Sequence, residues 1–392
     1  MYTVRMSFFS SFGKKSAHER VLVLHVGSAS VAGAVAVYAG AVTKPRIETA
    51  VRSDIALAPE VSHEAVEAEM RRALERTLAG LSSMRLDAPD RIVVYLASPW
   101  FASQVRTARL ERPAPFVVSE SLVTDMIARE FHAFEGEEIA ASRDAGAPLR
   151  AIESKVLSAK LNGYVTASPI GASARELELS LFVSVAPDML LSDIEHVIER
   201  HFKKPVRFGS FLLASFLAAR DLFPHEEQYI LADVGGEVTE AAVIRDHAIV
   251  ASASFPMGRN FLLRSIASGT GRGLREAASL CLLHGENALS GPVKDTCEAI
   301  LGEADHAWRD SFREAVFRMS GGAAAPDAVL LTGEDDVLAR FAEAAQTLIP
   351  GRTLRTVPLS AAVFHEKIEF GADVPRLPCI MIETLAAERA KH

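Results

Sequence analysis

The sequence predicts an α/β protein whose two related halves face a shared cleft, and three stretches carry that expectation. Leu24-His25-Val26-Gly27-Ser28-Ala29-Ser30-Val31 and Ala232-Asp233-Val234-Gly235-Gly236-Glu237-Val238-Thr239 repeat one pattern. In each, an aliphatic run enters a small-residue turn and a Val/Ala-rich run leaves it, as in a buried hairpin whose tip lets something approach the backbone. Glycine tips of this kind present N–H groups to anions, so the pair points to a nucleotide cleft, although two ordinary hairpins would share the pattern. The third stretch is the apolar strand Ala328-Val329-Leu330-Leu331 ending in Thr332-Gly333, after which Val337-Leu338-Ala339-Arg340-Phe341 begins a helix.

Composition narrows the class. The 392 residues are 49% hydrophobic and 23% charged, enough to bury more than one core and too apolar for disorder. A net charge of −8 and the lack of a basic, aromatic-interleaved stripe argue against nucleic acid as the main partner. Cys281, Cys297 and Cys379 lie far apart, so neither a disulfide framework nor a zinc site is indicated, which suits a reducing cytoplasm. The 12 histidines form no metal-binding motif. Residues 21–42 are apolar apart from His25 and follow Lys14, Lys15 and Arg20, a pattern shared with membrane segments, but the Gly27-Ser28 turn and the copy at Asp233 favour a buried hairpin.

Each element then follows in order. Residues 1–17 form a tail mixing Phe8, Phe9 and Phe12 with Lys14 and Lys15, readable as a peripheral membrane contact or as a disordered leader. After the first hairpin sheet, a helix over 62–81 carries Val66, Met70, Leu74, Leu78 and Leu81 on one stripe, and a strand follows at 91–97. Residues 101–187 interrupt this domain with a strand at 103–110, a helix opened by Ser119, a polar loop over 137–147 and the alternating strand 177–186. This insert shows no catalytic signature and reads as an interaction module. Helices over 189–202 and 209–222 return the chain to the second hairpin sheet at 229–250. Helices at 260–268, 274–284 and 305–319 build an outer lobe, and 320–325 link back to the Leu330 strand. A last helix over 378–392 sets apolar Ile380, Met381, Leu385 and Ala386 against polar Glu383, Glu388, Arg389 and Lys391.

The order of two hairpin tips and then strand-Thr-Gly-helix resembles the actin-like ATPase superfamily, in which the three pieces are two phosphate loops and an adenosine loop. The segments from Ile152-Glu153-Ser154-Lys155 through Asn162-Gly163 to Gly171, with the strand after them, look like FtsA-type proteins, with the pilus-assembly relative PilM as the alternative. The resemblance runs from about Val21 to the end of the chain. It implies an actin-like, ribonuclease H-like two-lobed α/β fold with an inserted small α+β domain of SHS2 type. The first actin-like domain would comprise 18–100, 188–215 and the helix 378–392, and the insert 101–187. The second domain would comprise 216–262 and 326–377, with 263–325 as its outer lobe. Nucleotide would meet Gly27, Ser28, Ser30, Asp233, Gly235, Gly236, Thr239 and Gly333, with no catalytic residue and no metal ligand assigned.

Four departures weaken that site. His25 stands where the family carries a carboxylate for hydrated Mg²⁺, and imidazole suits that hard cation poorly. Glu237 replaces a glycine and sets a carboxylate where phosphate oxygens would lie. Thr332-Gly333 is followed by Glu334 and Asp335 instead of a second glycine, and the helix positions expected to contact the nucleoside are Ala278 and Cys281. The resemblance therefore implies a scaffold that has lost or weakened ATP/Mg²⁺ binding, while the competing expectation is an ATP-binding filament protein with slow turnover. Expected partners are proteins of the division or pilus-assembly machinery, with self-polymerisation possible. The expected location is the cytoplasmic face of the membrane, reached through partner tails or the N-terminal residues.

Overall fold

In the computed structural model, which describes residues 18–40, 43–57, 62–84, 87–141 and 148–389, the first glycine repeat is a hairpin. β1 (Glu19–Val26) pairs antiparallel with β2 (Ser30–Tyr38), His25 opposite Ala32, and β3 (Arg46–Asp54) continues the sheet beyond β2. The apolar run is therefore two buried strands, and no helix among the described residues is long and apolar enough to cross a membrane. α1 (His63–Ser83) is capped by Ser62, whose hydroxyl accepts the Ala65 N–H at 3.4 Å. It buries the expected stripe together with Ala73 and Thr77. β4 (Arg91–Leu96) then pairs parallel with β1.

The insert forms its own sheet. β5 (Ala102–Val117) is followed by α2 (Glu120–Ala141), β6 (Leu149–Leu161), β7 (Tyr164–Thr166) and β8 (Ser173–Pro187), in the order β5-β8-β6-β7. Val123, Met126, Ile127 and Phe134 of α2 pack on Leu177, Leu179, Leu181 and Val183. The polar loop expected from residue 137 instead continues α2 to Ala141, because Arg106 of β5 pairs with both Glu130 and Glu137 and neutralises that acidic face. Residues 142–147 of that loop, like the tail 1–17, lie outside the described residues.

α3 (Asp188–Glu199) leads back to β9 (Val206–Ser210), which pairs parallel with β4. α4 (Phe211–Leu222) begins two residues later than the sequence suggests, since Gly209 and Ser210 close β9 and the Ser210 hydroxyl accepts the Leu213 N–H. The second repeat is again a hairpin, β10 (Tyr229–Val234) with β11 (Thr239–Arg245), extended by β12 (Ala248–Phe255).

The outer lobe is α5 (Arg259–Thr270), α6 (Leu274–Gly285) and α7 (Gly291–Ser320). α7 starts well before the expected 305, with Pro292 in its first turn, where a proline lacks no needed hydrogen bond. Its buried stripe Cys297, Leu301, Ala304, Trp308, Phe312, Ala315 and Met319 keeps helical spacing along nearly its whole length.

β13 (Ala328–Gly333) pairs parallel with β10, α8 (Asp335–Gln346) follows, and β14 (Arg355–Pro358) completes the second sheet beside β13. Residues 326–377 do not all stay with this half. Leu359, Phe364 and Ile368 enter the first core, and β15 (Glu369–Phe370) adds to β3 in the first sheet, because these apolar side chains cover a face that β3 alone leaves open. α9 (Pro378–Arg389) then packs with α4 between the two sheets. Its Ile380, Met381 and Ile382 share one core with Leu22 and Leu24 of β1, Phe211 and Phe216 of α4, and Leu330 of β13. The other face of the second sheet packs on the outer lobe through Trp308, Phe312 and Phe341.

Candidate nucleotide cleft

Both glycine tips sit at the carboxyl ends of parallel strands, and the two sheets bring them face to face. Gly27, Ser28, Ser30, Asp233, Gly235, Gly236 and Gly333 line one cleft together with His25 and Glu334. Thr239 does not join them. Its hydroxyl donates to the Met257 carbonyl at 2.6 Å and accepts the Trp308 indole N–H at 3.0 Å, so it serves the outer-lobe core. Ala278 and Cys281 likewise belong to that core and stay out of the cleft.

The tips touch. The Ser28 hydroxyl accepts the Glu237 N–H at 3.0 Å, and a Cβ at Gly236 would stand 2.6 Å from Ala29 N and from the Ser28 carbonyl carbon. Only glycine allows that approach. Several N–H groups that could cradle an anion already donate within the protein: Gly27 to Ser30 O, Gly235 to Val238 O, Glu237 to Ser28. Behind the second tip, the Gly235 and Gly236 carbonyls accept the Arg259 and Asn260 N–H groups at the start of α5.

Glu237 does not enter the phosphate position. Arg264 grips its carboxylate through both terminal nitrogens at 2.7 and 2.8 Å, and Asn260 Nδ2 donates at 2.8 Å. The carboxylate is neutralised on α5, which removes the expected repulsion. A different acid takes the cleft: Glu334, at the N-cap position of α8, accepts from Ser30 Oγ at 3.0 Å and pairs with Arg52 of β3 at 2.6 Å. This contact clasps the first sheet to the second.

His25 is engaged as well. Its Nδ1 lies 2.7 Å from Glu383 Oε1, and its ring stands edge-on to Phe211 at 4.8 Å. Burial by itself would lower the imidazole, but the carboxylates of Glu383, Asp233 and Glu334 outweigh it and hold His25 above its ordinary range. Burial lifts Glu383 and Asp233 to about 7 each, with His25 opposing both shifts. Glu240 of β11 reaches across to Ser98 Oγ at 2.9 Å and Ser103 Oγ at 3.4 Å, and burial pushes it up to about 8. Glu383 contradicts the expected polar face of the last helix, since it is fully buried and turned to β1.

These residues fit neither Mg²⁺ nor a triphosphate. A hard cation is held best by ionised carboxylates, whereas His25 is committed to Glu383 and burial raises Asp233 to about 7, which weakens it as a ligand. The cleft encloses about 30 Å³, room for a single water, against roughly 300–1,000 Å³ for small-molecule sites. Among the described residues no His/Cys/Asp/Glu group could hold a metal.

No protein-family model matches the chain, and no curated protein matches it in sequence. Solved structures do. A PilM–PilN type IV pilus biogenesis complex superposes with a TM-score of 0.61 over 95% of this chain and 98% of that one, at 12% identity. The chain has the actin-like ATPase fold. Looser likenesses include the ethanolamine utilization protein EutJ of Carboxydothermus hydrogenoformans, with TM-score 0.45, 12% identity and coverage of 95% and 90%. Another is a Bacteroides thetaiotaomicron protein of actin-like ATPase fold and unknown function, with TM-score 0.42, 8% identity and coverage of 93% and 96%.

Arg52, Ser98, Glu240 and Glu383 were not singled out as site residues. Of these Glu383 alone carries a signal, since it interrupts the apolar run 380–386 as His25 interrupts the buried strand opposite. A charge of each sign in otherwise apolar segments is the mark of a buried pair. Nothing local identifies Arg52 or Glu240, whose partners lie on other elements.

Proposed function

We propose that this actin-like chain is a non-hydrolysing scaffold that works through protein partners in a membrane-bound assembly machine, and that the machine is a type IV pilus assembly platform. The observation that carries the reading is the closed cleft: Ser28 and Gly236 in contact, with Glu334 clasped by Ser30 and Arg52 where a nucleotide would have to enter. A scaffold of this kind holds its lobes together with its own side chains and needs no nucleotide to order them. The likeness to a protein of a PilM–PilN complex favours the pilus reading, and with it a position at the cytoplasmic face of the membrane.

A second reading, an FtsA-like division scaffold, rests on the Asn162-Gly163 to Gly171 segment, where Asn162 Oδ1 accepts the Arg175 and Glu176 N–H groups and fixes the turn beside β7. Calorimetry with Mg²⁺-ATP tests the shared premise, and no binding at millimolar nucleotide is expected. Tight Mg²⁺-dependent binding would replace the scaffold with an ATP-driven protein. Affinity purification from cells then separates the machines, with co-enrichment of pilus-platform components expected and of division proteins favouring the second reading.

A further inference from the structure

The insert is seated on the rest of the molecule through a row of polar side chains set in apolar packing. On β8, Leu181, Val183 and Val185 join the α2 core, whereas Phe182 and Ala186 enter the first core, so Ser184 between them points toward the first domain. Ser103 of β5 and Glu153 of β6 both stand in register opposite Ser184. Directly opposed residues share a face, so the three form one row across the base of the insert. Ser184 Oγ is buried there and has no hydrogen-bond partner among the described residues.

Each end of the row is tied to a different sheet. Glu153 Oε2 accepts the Ser210 N–H at 3.0 Å and the Ser210 hydroxyl at 2.6 Å, which holds the insert to β9 of the first sheet. Glu240 of β11 accepts the Ser103 hydroxyl at 3.4 Å and the Ser98 hydroxyl at 2.9 Å, which holds it to the second. Across the strand pair Glu240 stands opposite Asp233, which in turn feels His25, Glu334 and Glu383. Around Glu153 are Lys155 of its own strand, Tyr95 of β4 and Arg220 of α4, which line with it a cavity of about 440 Å³. Water therefore has a route to this end of the row. Burial raises Glu153 to about 7 and Glu240 to about 8, and the serine hydrogen bonds offset only part of the lost hydration. A state that opened the row to water would return both to the ordinary carboxyl range and bind fewer protons, so rising pH favours it.

We propose that this row is a proton-controlled hinge: with Glu153 and Glu240 protonated the insert is seated on both sheets, and their ionisation draws water into the seam and releases the insert to swing. The hinge goes beyond the scaffold reading and stands whether or not nucleotide binds. It makes the orientation of the insert, and not the closure of the cleft, the property that protons set.

Small-angle scattering and hydrogen exchange of the full chain between about pH 6 and about pH 9 test it. One released proton changes the equilibrium roughly tenfold per pH unit, so exchange of the Ser210 amide, corrected for the intrinsic rate at each pH, should quicken at least about tenfold. The radius of gyration should rise with it. Helix α7 should keep its protection, which separates release of the insert from unfolding. E153Q/E240Q holds both groups in a neutral form at every pH and should cut the response to less than about twofold. Each single variant should lessen it, which keeps the test decisive if the double variant does not fold. E303Q, an exposed change on α7, should leave the response whole. The proposal is overturned by a flat response in the unaltered chain, by a response that survives in the Glu153 and Glu240 variants, or by loss of α7 protection in step with Ser210.

Discussion

His25 Nδ1 and Glu383 Oε1 meet at 2.7 Å although 358 positions separate them, and the contact joins the first strand of the fold to its last helix. Both side chains are shut away from solvent, and Glu383 Oε2 has no hydrogen-bond partner among the described residues. The pair is therefore a strong constraint on both elements, because either group left alone would be an uncompensated buried charge.

Removing one partner should be costly. We expect His25→Ala to lose about 3–5 kcal/mol of stability, with Glu383→Gln milder because the amide keeps a hydrogen bond. His25→Asp restores the carboxylate of the superfamily but places it against Glu383, so it should destabilise without creating Mg²⁺-dependent ATP binding. Urea denaturation and calorimetry on the three variants check this, and a stable, ATP-binding His25→Asp protein would refute it.

Stability should fall as pH rises. Glu153, Asp233 and Glu383 titrate at about 7 and Glu240 at about 8, each raised by burial above its unfolded value. The folded state therefore binds more protons between about pH 4 and pH 8, and the stabilisation present below that window is lost as pH climbs through it. His25, also raised, has the same sign. A loss of at least about 2 kcal/mol between about pH 5 and pH 9 is expected from melting curves, with Glu240→Gln flattening the slope.

Opening the clasp should loosen the lobes without unfolding them. Arg52 and Glu334 are partly exposed, so Glu334→Ala should cost only about 1 kcal/mol. Hydrogen exchange should quicken at the Ser28 and Gly236 tips while the outer-lobe helix α7 stays protected. Unchanged exchange at the tips would mean that their own contact suffices to hold the cleft shut.

Two glycines should answer alanine in opposite directions. Gly236→Ala drives a methyl into the Ser28–Ala29 backbone at 2.6 Å, and overpacking against backbone should cost about 1–3 kcal/mol and pry the tips apart. Gly302, inside α7 with open space around its Cα, should gain about 0.5–1 kcal/mol as alanine. Thermal denaturation of both variants separates a functional glycine from an incidental one.

The strands were legible because their signal is local. Apolar runs around Gly27 and Gly235, and the stripe from Val66 to Leu81, fix an element without reference to the rest of the chain. Helix α7 runs further than the expected 305–319, because its buried stripe from Cys297 to Met319 is set by tertiary packing. The site was half legible. Seven of the eight expected lining residues reach the cleft, since glycine tips at strand ends have few other uses. The fate of each acid was not readable: Glu237 is withdrawn by Arg264, Glu334 is drawn in by Arg52, and both arginines come from other elements.

The central place of α9 bears on synthesis. The first sheet forms around a helix built from the last residues of the described chain, so β1, β2 and α4 emerge from the ribosome long before the helix that covers them. Until then Leu22, Leu24, Phe211 and Phe216 have an unfinished core, and His25 waits without its carboxylate. The core that begins to emerge first is thus the last to be completed, an order that exposes apolar surface during translation, while the insert closes its own core from residues 102–187.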